Sequence, residues 1–72
     1  MSKLPALKSP EVERILGKAG FSFARQKGSH RIYIKDKKGI TVPWHTKDLK
    51  VGTLRKIISE SGVTVEEFLK LR

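Results

Sequence analysis

The sequence predicts a small α+β domain: a three-stranded antiparallel sheet with helices on one face, in the order α-β-β-β-α with a short last helix. Three observations predict it. An apolar stripe at helical spacing follows Ser9-Pro10, three runs alternate with period two between turn residues, and a second apolar helical stripe ends at a glycine.

Each element has its own local reason. Ser9 can cap a helix, Pro10 suits the first helical position, and Glu11 favours the positive helix end. Val12, Ile15, Leu16 and Ala19 then fall at i, i+3, i+4 and i+7, giving a helix over about 10–19 with Gly20 as a left-handed cap. Residues 21–26 alternate as a strand, and Lys27-Gly28-Ser29 is turn material. Residues 30–35 alternate again, with Ile32 and Ile34 on one face and Arg31, Tyr33 and Lys35 on the other. Asp36-Lys37-Lys38-Gly39 reads as a hairpin turn with Gly39 supplying a positive φ, and Ile40-Thr41-Val42 as a third strand stopped by Pro43. After a loop over 43–49, Leu54, Ile57 and Ile58 mark a helix over about 51–61, closed by Gly62. Thr64 and Glu67 form a capping box opening a last helix with Phe68 and Leu69 inward. The strands should expose one polar face while both main helices cover the other, a two-layer sandwich. Residues 1–8 read as a loose leader and 9–72 as a single domain.

A chain of 72 residues hides only about 60% of its unfolded surface, so its stability is modest. With no cysteine, disulfides and thiolate metal sites are both excluded, and the scattered acids form no ligand cluster around His30 or His45. No metal or cofactor is expected. No apolar stretch is long enough to span a membrane or resembles a signal peptide, so a cytoplasmic location is expected.

Sixteen Lys and Arg against seven Asp and Glu give a formal charge of +9. The excess is clustered: Arg14, Lys18, Arg25, Lys27, Arg31 and Lys35 occur in a stretch without a single acid. A solvated positive face would account for the count, but this clustering is the usual electrostatic footprint of nucleic-acid binding.

RNA carries its own nucleophile, the 2′-hydroxyl. A protein that cuts it needs a base for that proton, an acid for the leaving oxygen and cations for the phosphate, and histidine can serve either proton role near neutral pH. His30 sits in such a setting, after Gly28-Ser29 and between Lys27 and Arg31. Gly28 would let a phosphate approach the backbone, and Ser29 offers a hydroxyl and an amide. Spacing alone favours an ordinary turn histidine, and strand parity does not decide, because His30 shares a face with Ile32 and Ile34. His45 is a second proton carrier, a substrate contact, or a loop histidine packed on Trp44, which itself is expected to cap the core. Tyr33 among Arg31 and Lys35 has the pattern of an aromatic that stacks single-stranded bases, and cross-strand packing explains it nearly as well.

Gly28-Ser29-His30 on a meander, Pro43-Trp44-His45, Lys47-Asp48-Leu49, Gly52-Thr53-Leu54-Arg55 and the closing Gly62-Val63-Thr64-Val65-Glu66-Glu67-Phe68 together resemble the HicA toxin family. Each piece alone is weak, but the ordered set, spanning about residues 4–70, is specific. The resemblance implies a fold like that of double-stranded-RNA-binding domains. It also implies an mRNA interferase activity, a type II toxin–antitoxin system and a HicB antitoxin partner. It places one key catalytic histidine at His30, matches His45 to a family position, and gives the leader no family role.

The site expected on this reading has His30 as the catalytic base, with Lys27, Gly28, Ser29, Arg31, Tyr33 and His45 contacting mRNA. Three other functions compete. A non-catalytic RNA-binding module of the same fold would explain everything except His30. A DNA-binding helix-turn-helix in the last two helices is disfavoured by Glu66-Glu67, which phosphates would repel. A basic chain that only neutralises an acidic protein is the third, and the toxin reading already contains such a partnership, with an acidic antitoxin over His30.

Overall fold

The computed structural model describes residues 4–72. The order is α1 (Ser9–Lys18), β1 (Ser22–Lys27), β2 (His30–Lys35), β3 (Lys38–Pro43), α2 (Val51–Ser61) and α3 (Val65–Lys70). The strands form one antiparallel sheet in the order β1-β2-β3, as the sequence predicts.

One core joins the layers. Val12, Ile15 and Leu16 of α1, Leu54, Ile57 and Ile58 of α2 and Phe68 of α3 pack with Tyr33, Ile40 and Val42 of the sheet. The helices therefore cover a single face, and it is the face opposite the one the alternation suggested. Tyr33 is 2% exposed, whereas Ile34 on the other side is 45% exposed. The reason is chemical. Buried polar groups must find partners, and here the Tyr33 hydroxyl donates to Glu13 Oε2 of α1 at 2.5 Å while Arg31 Nη1 donates to the same oxygen at 2.7 Å. Burial first, and then the Glu13 carboxylate, hold the Tyr33 phenol well above its ordinary pKa.

A β-bulge at Ala24 shifts the register of β1, so Phe23 pairs with Tyr33 but Arg25 pairs with Ile32 and Lys27 with His30. Unbroken alternation would put Phe23 and Arg25 on one face. The bulge sends Phe23 to the helix side, edge-on to Tyr33 at 5.9 Å, and turns Arg25 and Lys27 to the open face.

α1 ends in a Schellman arrangement: Phe21 N donates to Leu16 O at 2.9 Å, Gly20 N donates to Gly17 O at 3.1 Å, and Gly20 has φ 100. Lys35 Nζ adds a bond to Ala19 O at 2.9 Å. The β2–β3 hairpin corrects a detail. Its two turn residues are Asp36 and Lys37, and the positive φ of 55 belongs to Asp36, while Gly39 lies inside β3. Asp is among the few non-glycine residues that tolerate this region.

Two other expectations are overturned at the start of the chain. Ser9 is not a cap; it is fully buried, and its hydroxyl donates to Pro43 O at 2.7 Å. The cap position is Lys8, whose backbone N–H donates to Glu11 Oε1 at 3.2 Å. The leader is not loose where it is described: Leu7 is buried in the core and its carbonyl accepts from Leu49 N at 2.8 Å, while Lys8 pairs with Asp48 at 3.0 Å. An apolar side chain placed just before the helix is worth more inside than in water. Residues 1–3 of that leader lie outside the described residues.

Candidate nucleic-acid interface

β1 and β2 are joined by the two residues Gly28 and Ser29, and Gly28 takes φ 59, a conformation open to glycine at little cost. A Cβ there would meet nothing within 4 Å, so the turn stands free in solvent. At its mouth Lys27 and His30 are direct cross-strand partners, and His30 pairs on its other side with Pro43. Partners in a ladder share a face. Lys27, His30 and Pro43 thus lie on the open face, followed along the strands by Arg25, Ile32 and Thr41. His30 and Lys27 are exposed, and among the described residues neither is held in an ion pair.

The turn is gripped from behind. Gln26 Nε2 donates to Gly28 O at 3.0 Å and Gln26 Oε1 accepts from Arg31 Nε at 3.0 Å. Trp44 N donates to Ser29 O, and the Arg31 guanidinium carbon lies 3.7 Å from the centre of the Trp44 ring and 5.3 Å from that of Phe23. With Glu13 behind it, Arg31 links α1, β1, the turn and the 43–49 loop.

This geometry corrects two expected contacts. Arg31 pairs with Val42 and lies on the helix side, away from Lys27 and His30, with Nη1 donating to Glu13 and Nε to Gln26. In this arrangement it braces the turn from the helix side. Tyr33 is buried and hydrogen-bonded, so it offers no ring face to a base. Trp44 is half-buried as the platform for Arg31 rather than a lid on the core. Glu13 and Gln26 were missed by sequence reasoning. The one signal was that Glu13 is the last acid before the acid-free stretch.

His45 follows Pro43, the partner of His30, by two residues. Ser9 clasps its backbone, accepting from His45 N at 3.3 Å and lying 3.4 Å from His45 O. Its Nδ1 is 2.9 Å from Lys47 O. A carbonyl only accepts, so Nδ1 carries the hydrogen and Nε2 remains available to take or give a proton. The ring is exposed, at the same end of the sheet as His30.

A model of the HicA toxin family of bacterial toxin–antitoxin systems matches residues 9–63. The chain belongs to the HicA toxin family. Comparison with curated proteins finds no match. The HicA match runs from the start of α1 to just past α2 and contains the Gly28-Ser29-His30 turn, Trp44 and His45. As a HicA-family protein the chain is the toxin side of a toxin–antitoxin pair. Among its described residues no helix is long and apolar enough to cross a membrane.

Proposed function

We propose that this toxin is an endoribonuclease, an mRNA interferase that uses His30 and the RNA's own 2′-hydroxyl. The observation carrying the proposal is the cross-strand pairing of Lys27 with His30 on the open face, beside a turn whose glycine leaves the backbone uncovered. His30 takes the proton of the 2′-hydroxyl. The 2′-oxygen attacks the adjacent phosphorus, and the 5′-oxygen of the next nucleotide leaves with a proton. The products are a 2′,3′-cyclic phosphate, which can open to a 3′-phosphate, and a 5′-hydroxyl. Lys27 neutralises charge on the phosphate, and the Gly28 and Ser29 backbone admits it closely. His45, with Nε2 free, is the candidate for the leaving-group proton. The scheme assigns no step to a metal or cofactor.

The partner in this reading is a HicB-type antitoxin, acidic enough to cover Arg25, Lys27 and His30 and so to deny RNA the open face. The setting is the cytoplasm, where mRNA is found. The test is cleavage of RNA by the purified chain in EDTA, with and without the antitoxin. Cutting that stops on adding the antitoxin is the expected result. RNA that is bound but left intact would mean a non-catalytic binding module instead.

A further inference from the structure

Beside His30 the open face runs into a groove between β3 and α2. Gly39, Thr41 and Pro43 form one wall, Thr53, Lys56 and Glu60 the other, and Ile57 lies between them. Its volume of about 280 Å³ is just below the roughly 300 Å³ at which sites for whole small molecules begin, which is room for one planar ring. Another depression of similar size, lined by Glu11, Arg14, Ile15 and Arg72, is on the helical side.

The placement is what gives the groove meaning. Pro43 is the ladder partner of His30, and Thr41 is one further position along the same face, roughly 6–7 Å away at strand spacing. A phosphate held at Lys27 and His30 would therefore leave its neighbouring nucleotide over Thr41. There Pro43 offers apolar surface to a ring over the buried Ile57 floor, Thr41 and Thr53 offer hydroxyls, and Lys56 offers a cation at the rim. Glu60 is the unusual member. It is an acid on a strongly basic molecule, exposed, and in no ion pair among the described residues. A carboxylate repels phosphate but accepts well from an exocyclic amine, the pairing by which acidic residues read cytosine.

The geometry points to this groove as a base-reading subsite for the nucleotide next to the cut, taking an amino-bearing base, cytosine above all. The inference rests on the proposal that RNA lies across the open face. Glu60 accepts the amine hydrogen, and the groove excludes uracil because its O4 would face the carboxylate oxygen with no hydrogen between them.

The test is binding of hexacytidylate and hexauridylate to the full His30→Ala chain, followed by fluorescence anisotropy. Cytidylate should bind about tenfold more tightly than uridylate. Glu60→Ala, at an exposed helical position, should bring the ratio to about one. Reading a ratio cancels the general gain in RNA affinity from losing an acid. Gly39→Val should also collapse it, because a Cβ at Gly39 meets nothing within 4 Å and would fill the groove without strain. Circular dichroism checks that both variants are folded. A ratio near one before Glu60 is changed, or a tenfold ratio surviving Glu60→Ala, overturns the subsite. Cleavage by the unaltered chain is scored separately, so the nuclease proposal and the subsite can fail independently. Failure to bind either oligonucleotide overturns the subsite, and the nuclease proposal then stands or falls on cleavage alone.

Discussion

The Arg31 guanidinium lies 3.7 Å from the centre of the Trp44 ring while its Nη1 donates to Glu13 Oε2 at 2.7 Å. An arginine that sequence places next to the candidate base is thereby turned away from it, and holds its turn from behind through Gln26 and Trp44. Planar stacking and a directed fork of donors are what lysine lacks.

Arg31→Lys separates a strut from a phosphate ligand. With charge retained, the salt dependence of RNA binding should stay as it is, while kcat falls by about tenfold or more because the turn loses its support. Stopped-flow turnover with a salt titration checks this. An unchanged kcat would show that Arg31 holds nothing the reaction needs.

Lys27→Ala is the converse. It removes a cation on the open face without touching the core, so the slope of log K against log salt should shrink by about 0.7 for single-stranded RNA, with thermal stability unchanged. A slope equal to that of the unaltered chain would take Lys27 out of the interface.

Tyr33→Phe tests the buried contact behind the sheet. The folded-state pKa of Tyr33 lies above its unfolded value of about 10, so the stability it contributes is complete below about pH 10 and is lost as pH rises beyond that. Denaturant titrations between pH 8 and 11 should show the unaltered chain losing stability faster than Tyr33→Phe at the alkaline end. Parallel curves would mean that Tyr33 ionises as freely inside the fold as outside it.

The elements were legible because their ends carry local chemistry: Gly20 in its Schellman turn, Gly62 at φ 81, and Thr64 accepting from Glu67 N at 3.1 Å. Which face of the sheet is covered was not legible. Ile32 and Ile34 look more apolar than Arg31 and Tyr33, and it takes the pairing with buried Val42 and Ile40, together with Glu13 brought over by α1, to reverse that preference. The bulge at Ala24 was equally hidden, since it depends on pairing rather than on any residue that demands it. Of the expected site, Lys27, Gly28, Ser29 and His30 meet at one turn, His45 stands at the same sheet end, and Arg31 and Tyr33 belong to the support. Alternation could not separate these sets without the register.

Ser9→Ala tests how the His45 loop is held. Losing the hydroxyl leaves the Pro43 carbonyl without its 2.7 Å bond in a buried setting, a cost of about 1–3 kcal/mol. Urea unfolding reads it, and a loss below the measurement error would show that water replaces the hydroxyl.

The most direct measurement is end-group analysis of RNA cut in EDTA by the unaltered chain and by His30→Ala, both shown to be folded. The expected result is 2′,3′-cyclic phosphate or 3′-phosphate ends with 5′-hydroxyls from the unaltered chain, and a rate at least a hundredfold lower from His30→Ala. Ends bearing a 3′-hydroxyl, or undiminished cutting without His30, would contradict a reaction in which His30 draws the proton from the RNA's own 2′-hydroxyl.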